Sequence, residues 1–240
     1  MELSTSANTG NTSPFAALIA MFYEPGKAFA ALRQRRAAWL PLLLLMLCSA
    51  GLLLWYFKIV DVDWLLDQMF AGIKDAAQRE KSRAVMSRQV LMVSGMAQAL
   101  VGLPVMFALV GVYFMFIGKI YAKEFTFGAG FALAAWASVP ALLTLPLGAI
   151  QILLSSGGQL GIYELNPLSL NTLLFHRPMG DPMASLLESV NVISIWSAVL
   201  MVIGFQSWAR VARAVALKVV LIPYVIIYGA WLAFALSKAA

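Results

Sequence analysis

The sequence predicts an all-α polytopic membrane protein: five transmembrane helices in one bundle, preceded by a short interfacial N-terminal helical hairpin. Two observations carry that expectation. Five stretches of 19 residues or more hold no Asp, Glu, Lys or Arg: 37–57, 89–118, 125–163, 189–209 and 219–237. A helix crosses a hydrocarbon core of ~30 Å with about 20 mainly apolar residues, so each stretch accommodates one span and the third has residues to spare. The chain is also 62% hydrophobic and 12% charged, with a mean hydropathy of +0.84, whereas soluble domains carry about 25% charged residues. At 240 residues there is room for one bundle with short connections, and none for a second soluble domain of ~100 residues.

Residues 1–13 are rich in Ser, Thr, Asn and Gly without hydrophobic period and are expected to form a disordered tail. Residues 14–36 form an amphipathic segment. Pro14 suits a first helical position, and Phe15, Leu18, Ile19 and Phe22 recur at helical spacing. Glu24-Pro25-Gly26 breaks that helix, and a second short one follows with Phe29 and Leu32 apolar and Lys27, Arg33, Arg35 and Arg36 basic. Two readings fit: a hairpin lying on the membrane interface, or a cytosolic lead-in whose apolar side packs on the bundle.

The membrane domain occupies 37–240, with spans at about 37–57, 93–118, 129–153, 188–207 and 218–237. The first run starts 36 residues in and lacks a small residue before Cys48, so cleavage as a signal peptide is not expected. Span one ends at Trp55-Tyr56-Phe57, an aromatic cluster of the kind found at membrane interfaces. The connection 58–88, with six basic and five acidic residues, carries a partial stripe of Trp64, Leu65, Met69 and Ile73 and reads as a surface helix.

Span two carries Gly95, Gly102, Pro104, Gly111 and Gly118, and span three carries Gly128, Gly130, Ser138, Pro140 and Pro146. Small residues let helix backbones approach in lipid, and neighbouring groups there can satisfy the carbonyls that prolines free. Both helices are therefore expected to be central and bent. Segment 155–187 has the turn chemistry of a loop yet is apolar at Leu168, Leu170, Leu173, Leu174 and Phe175, so it folds back on the bundle or dips into the interface. Span four is proline-free, span five holds Pro223, and a tight basic turn with Arg210, Arg213 and Lys218 joins them.

Charge places the N-terminus in the cytoplasm and the C-terminus outside. Basic residues number nine on the N-terminal side and eight on the other, but four of the nine directly precede span one, the helix that usually dominates orientation. Several chemistries find no residues to carry them. The spans hold no ionisable residue of the kind a proton- or ion-coupled carrier uses. One His and one Cys do not make a zinc site, and no HExxH, P-loop or dinucleotide signature is present. His176, alone in a loop, lacks triad partners. No enzyme activity and no cofactor are expected. The formal charge of +6 is spread over several loops, which suits anionic lipid head groups rather than nucleic acid.

The remaining polar residues supply candidate contacts for a partner or substrate: Asn166 and Asn171 in the loop, Glu188 and Asn191 at the entrance of span four, and Arg210 and Arg213 in the basic turn. With Ser194 and Ser197, Asn191 gives span four one polar face. Interhelical hydrogen bonding and substrate contact both account for that face, and a membrane anchor or an acidic-partner site both account for the arginines.

An ordered series of motifs resembles a known family. Phe22-Tyr23-Glu24-Pro25-Gly26-Lys27-Ala28-Phe29 and Trp39-Leu40-Pro41-Leu42 come first, then Phe125-Thr126-Phe127-Gly128, Trp136-Ala137-Ser138-Val139-Pro140 and Asn166-Pro167-Leu168. The densest stretch runs from Ile193-Ser194-Ile195-Trp196 to Gly204-Phe205. Together they are similar to the bacterial branch of the Yip1 family over roughly 15–228. The resemblance implies a five-helix membrane protein with a cytoplasmic N-terminus. Eukaryotic members act in vesicle formation and bind small GTPases, partly through a long N-terminal region and an Asp-Leu-Tyr-Gly-Pro motif. That motif is absent around Trp39-Leu40-Pro41, so the GTPase role is not implied here. The expected function is a non-enzymatic inner-membrane protein that organises lipids or holds a membrane-protein partner or a second copy of itself; a permease or lipid-handling protein with a path beside spans two and three and the segment Asn166 to Asn171 is the alternative.

Overall fold

The computed structural model describes residues 13–33, 37–121 and 125–239. Arg35, Arg36, Lys123 and the tail 1–12 lie outside them. Helix α1 (Pro14–Tyr23) starts with Ser13 accepting from the Ala16 amide at 3.2 Å, and α2 (Pro25–Leu32) follows the Glu24-Pro25 break. Five helices are long and apolar enough to cross a membrane: Trp39–Ile59, Arg88–Tyr121, Phe127–Leu154, Val192–Ala209 and Arg213–Lys238. The first is α3 (Trp39–Ile59). Helices α4 (Val62–Phe70) and α5 (Ala76–Ala84) form the first connection.

The bends fall at the prolines. Span two consists of α6 (Arg88–Ala97), a π-helical turn (Gln98–Gly102) and α7 (Leu103–Tyr121). Pro104 cannot donate to the preceding turn, and the wider π turn absorbs the lost bond. Span three consists of α8 (Phe127–Ala137), a 3₁₀ stretch Val139–Leu143 around Pro140, and α9 (Thr144–Leu154). The fourth and fifth spans are α11 (Val192–Ala209) and α12 (Arg213–Ala239). Pro223 inside α12 leaves the Val219 carbonyl without its helical donor. The Tyr113 hydroxyl of α7 donates to that carbonyl at 2.6 Å, so one polar group closes the gap and ties two spans together.

The core is built on α8 and α11. Every residue of Ala129–Ala137 except Phe131 is buried, and α11 is the most enclosed span. Gly111 of α7 and Gly130 of α8 meet where a Cβ on Gly130 would lie 2.7 Å from the Gly111 carbonyl oxygen and 3.0 Å from its Cα. Phe114, Phe125 and Phe205 cluster beside that crossing, with centroids 5.2–6.3 Å apart. The expectation that spans two and three are both central holds for three alone. Glycines give α7 one face for α8, but Val105, Met106, Leu109, Phe116 and Ile120 cover its others and are exposed. Large apolar side chains are as content in lipid as in protein, so α7 stays peripheral and α11 takes the centre.

Helices α1 and α2 pack on the end of the bundle formed by the start of α3, the ends of α7 and α11 and the starts of α8 and α12. Phe29 enters at Gly204, where an added Cβ would lie 2.7 Å from its ring, and the Trp208 indole donates to the Phe29 carbonyl at 2.7 Å. This end is called the hairpin face below. The outer side of α1 keeps Phe15, Ile19 and Tyr23 at least 60% exposed, so the hairpin has one apolar side in the bundle and another free.

The opposite face is a folded cap. Tyr56 and Phe57, expected at the interface, are buried there with Val60, Leu65, Ile152, Leu160 and Leu165. The Tyr56 hydroxyl donates to the Leu160 carbonyl at 2.8 Å, and the Asp61 amide to the Gly158 carbonyl at 2.9 Å. Gly158 has φ of +74°, and a Cβ there would collide with the Ile59 carbonyl, so this approach requires glycine. The guanidinium of Arg88 donates to the carbonyls of Phe57 and Val60, closing the end of α3.

Candidate functional site

Four of the six candidate residues belong to the cap, where the side chains of Asn171 and Asn191 are engaged by the chain itself. Residues 168–170 run antiparallel to 190–192: the Leu170 amide donates to the Val190 carbonyl at 2.7 Å and the Val192 amide to Leu168 at 3.2 Å. Asn171 is buried and staples the loop, accepting from the Arg177 amide at 2.9 Å and donating to the Arg177 carbonyl at 3.0 Å. This closes a π-helical turn, Asn171–Phe175, whose apolar tip Leu173-Leu174-Phe175 is exposed.

Asn191 precedes α11 and caps it. Its Oδ1 accepts from the Ser194 amide at 2.8 Å, while the Asn191 amide donates to the Ser194 hydroxyl at 3.0 Å. Of the polar face read from the sequence, Asn191 and Ser194 therefore bond within the first turn of α11 rather than between helices. Glu188 lies in α10 (Ala184–Ser189), outside the span. The side-chain oxygens Oδ1 of Asn166 and Oε1 of Glu188 are buried without a hydrogen-bond partner among the described residues.

Arg210 and Arg213 stand on the hairpin face, at the other end of the molecule. Arg210 ends α11 in the left-handed conformation with φ of 54°, and Arg213 opens α12. Helices α11 and α12 then diverge and leave a groove of about 650 Å³ open to one side. Gln206 and Arg213 flank its hairpin-face end, and Ser194 and Tyr228 its other end. Between them the walls are apolar, with Val199 and Val202 on α11 and Leu217 and Leu221 on α12. Arg213 was legible as a basic residue, but that it lines one groove with Gln206, seven residues away across a turn, was not.

Charge divides unequally between the two faces. Among the described residues the hairpin face carries Lys27, Arg33, Lys119, Arg210, Arg213 and Lys218, with Glu24 the one acid. Glu24 bonds Lys27 at 2.8 Å and raises its amine above the ordinary value. The cap holds eight basic and eight acidic residues, including Arg83 against Asp63 and Asp67, and Arg177 against Asp181 at 3.2 Å. One end is thus electropositive and the other balanced.

Five spans, a hairpin docked on one end and a folded cap on the other define a multi-pass helical membrane protein. A bent third span and a buried fourth span form its core. The chain belongs to the Yip1 family: the Yip1 domain model matches residues 19–234. It is similar to the membrane protein YknW of Bacillus subtilis (strain 168), with 23% identity over 244 residues, covering 98% of this chain and 95% of that protein. No solved structure matches.

Proposed function

We propose that this protein is a non-enzymatic organiser of the bacterial inner membrane, holding anionic lipid or a membrane-protein partner at its hairpin face, which lies in the cytoplasm. The observation that carries this reading is the charge division. Among the described residues, six basic residues against one acid share the end of the molecule that carries the exposed stripe Phe15, Ile19 and Tyr23. Apolar side chains with flanking cations suit the interface of a membrane with a negative surface, where each cation near the surface contributes about 1 kcal/mol. The permease alternative needs a path beside spans two and three. At Gly111 and Gly130 those spans touch backbone to backbone, which favours a packed scaffold.

Reconstitution of the full chain into phosphatidylglycerol–phosphatidylcholine liposomes tests this. The expected result is no lipid scrambling and no leak of uncharged solute above protein-free liposomes. Flux that Gln151→Ala reduces in a folded protein would replace the scaffold with a transporter. Orientation is checked in cells with Lys27→Cys and Ser156→Cys on a Cys48→Ser background. An impermeant maleimide is expected to label position 156 and spare position 27.

A further inference from the structure

The α11–α12 groove supports an inference that deepens the scaffold reading and rests on its assignment of anionic lipid to the hairpin face. Its length comes first. The groove follows α11 from Ser194 to Gln206 and α12 from Arg213 to Tyr228, about 18 Å and about 22 Å at 1.5 Å per residue. One leaflet contributes half of a hydrocarbon core ~30 Å thick. The groove therefore reaches through one leaflet of ~15 Å and stops short of the ~30 Å core that a spanning partner helix would line. Its volume falls within the ~300–1,000 Å³ of small-molecule sites.

Polarity comes second. Apolar walls end in the hydroxyls of Ser194 and Tyr228 on the cap side and in a cation and an amide, Arg213 and Gln206, on the hairpin face. Neither Arg213 nor Gln206 has a side-chain partner among the described residues, and residues 192–239 contain no Asp or Glu. Arg213 also sits where a cation is unfavourable, at the positive end of a helix dipole with no acid in the first turn. The amides of Arg213 and Ala214 have no acceptor among the described residues. An anion at that point would reverse the penalty, because helix N-terminal amides and a guanidinium are both donors to phosphate.

We infer that this groove holds one acyl chain of an anionic glycerophospholipid from the leaflet on the hairpin face, its phosphate bound by Arg213, Gln206 and the first amides of α12. The apolar walls supply affinity for the chain, and the polar end supplies the preference for negative charge.

Native mass spectrometry of the full chain in mild detergent, titrated with dioleoyl phosphatidylglycerol or dioleoyl phosphatidylcholine, tests it. One phosphatidylglycerol is expected to be retained roughly tenfold more strongly than phosphatidylcholine, the size of one charge-assisted contact. Arg213→Gln should abolish that preference, and Leu217→Trp, which fills the groove, should weaken both lipids. Lys238→Gln, at the far end of α12, should change neither. Unchanged retention in both groove variants, or an equal loss with Lys238→Gln, overturns the site. A disulfide-linked dimer through Val199→Cys in liposomes, on the Cys48→Ser background, would show a second copy in the groove and also overturn it.

Discussion

Tyr113→Phe removes one oxygen from the membrane-embedded part of the protein, and its cost depends on a proline in a different helix. The phenol reaches the Val219 carbonyl at 2.6 Å, an acceptor orphaned because Pro223 has no N–H to give it. Val219 is buried at 3% exposure, so water does not take over the bond. Hydrogen bonds between membrane helices average about 0.6 kcal/mol and reach about 1.7. A short bond to an otherwise unpaired carbonyl belongs at the upper end, and Tyr113→Phe is expected to cost about 1–1.5 kcal/mol on that scale. Pro223→Ala returns the missing amide. In the Pro223→Ala background the same Tyr113→Phe change should cost no more than about 0.5 kcal/mol, since the carbonyl keeps one donor. Stability is read from reversible unfolding in mixed detergent micelles by tryptophan fluorescence, for the four proteins of the cycle. Equal costs in the two backgrounds would refute the idea that Tyr113 exists to serve the proline.

Three further outcomes follow from the backbone. Gly130→Ala places a methyl against the Gly111 carbonyl and Cα, which cannot rotate away; overpacking of about 1–3 kcal/mol should exceed the ~1 kcal/mol gained in helix propensity. Gly229→Ala, with nothing within 4 Å, should be neutral or stabilising by up to ~1 kcal/mol in the same assay. Arg210→Gly should raise stability by about 1 kcal/mol, because φ of 54° strains a residue with a Cβ; a fall in the unfolding midpoint would show that the Arg210 side chain holds the turn.

Hydropathy made the spans legible because lipid constrains composition over the whole length of a helix. The bends were legible too, since Pro104 and Pro140 act within one turn of where they stand. Burial order was not. Apolar residues facing lipid and apolar residues facing protein are chemically alike, so nothing in Val105 or Leu109 distinguished α7 from the enclosed α11. The cap was hidden for a different reason. Its structure comes from pairings distant in sequence, such as Tyr56 with Leu160 and Asp61 with Gly158. Among the candidate residues, Asn191 was visible as polar, but its position just before α11 rather than inside it depends on where residues 168–170 anchor the chain.

Arg88 has a consequence for how the protein can be handled. Its guanidinium grips the end of α3 from the start of α6, so spans one and two are joined by a non-covalent clasp as well as by residues 60–87 between them. Helix α5, within that connection, has no buried residue, and its ion pairs to α4 are exposed. The peptide bond is therefore dispensable there in a way it is not elsewhere. A chain severed within α5 and expressed as two pieces should reassemble in the membrane, and the same place offers a site for a reporter that leaves both faces of the bundle intact.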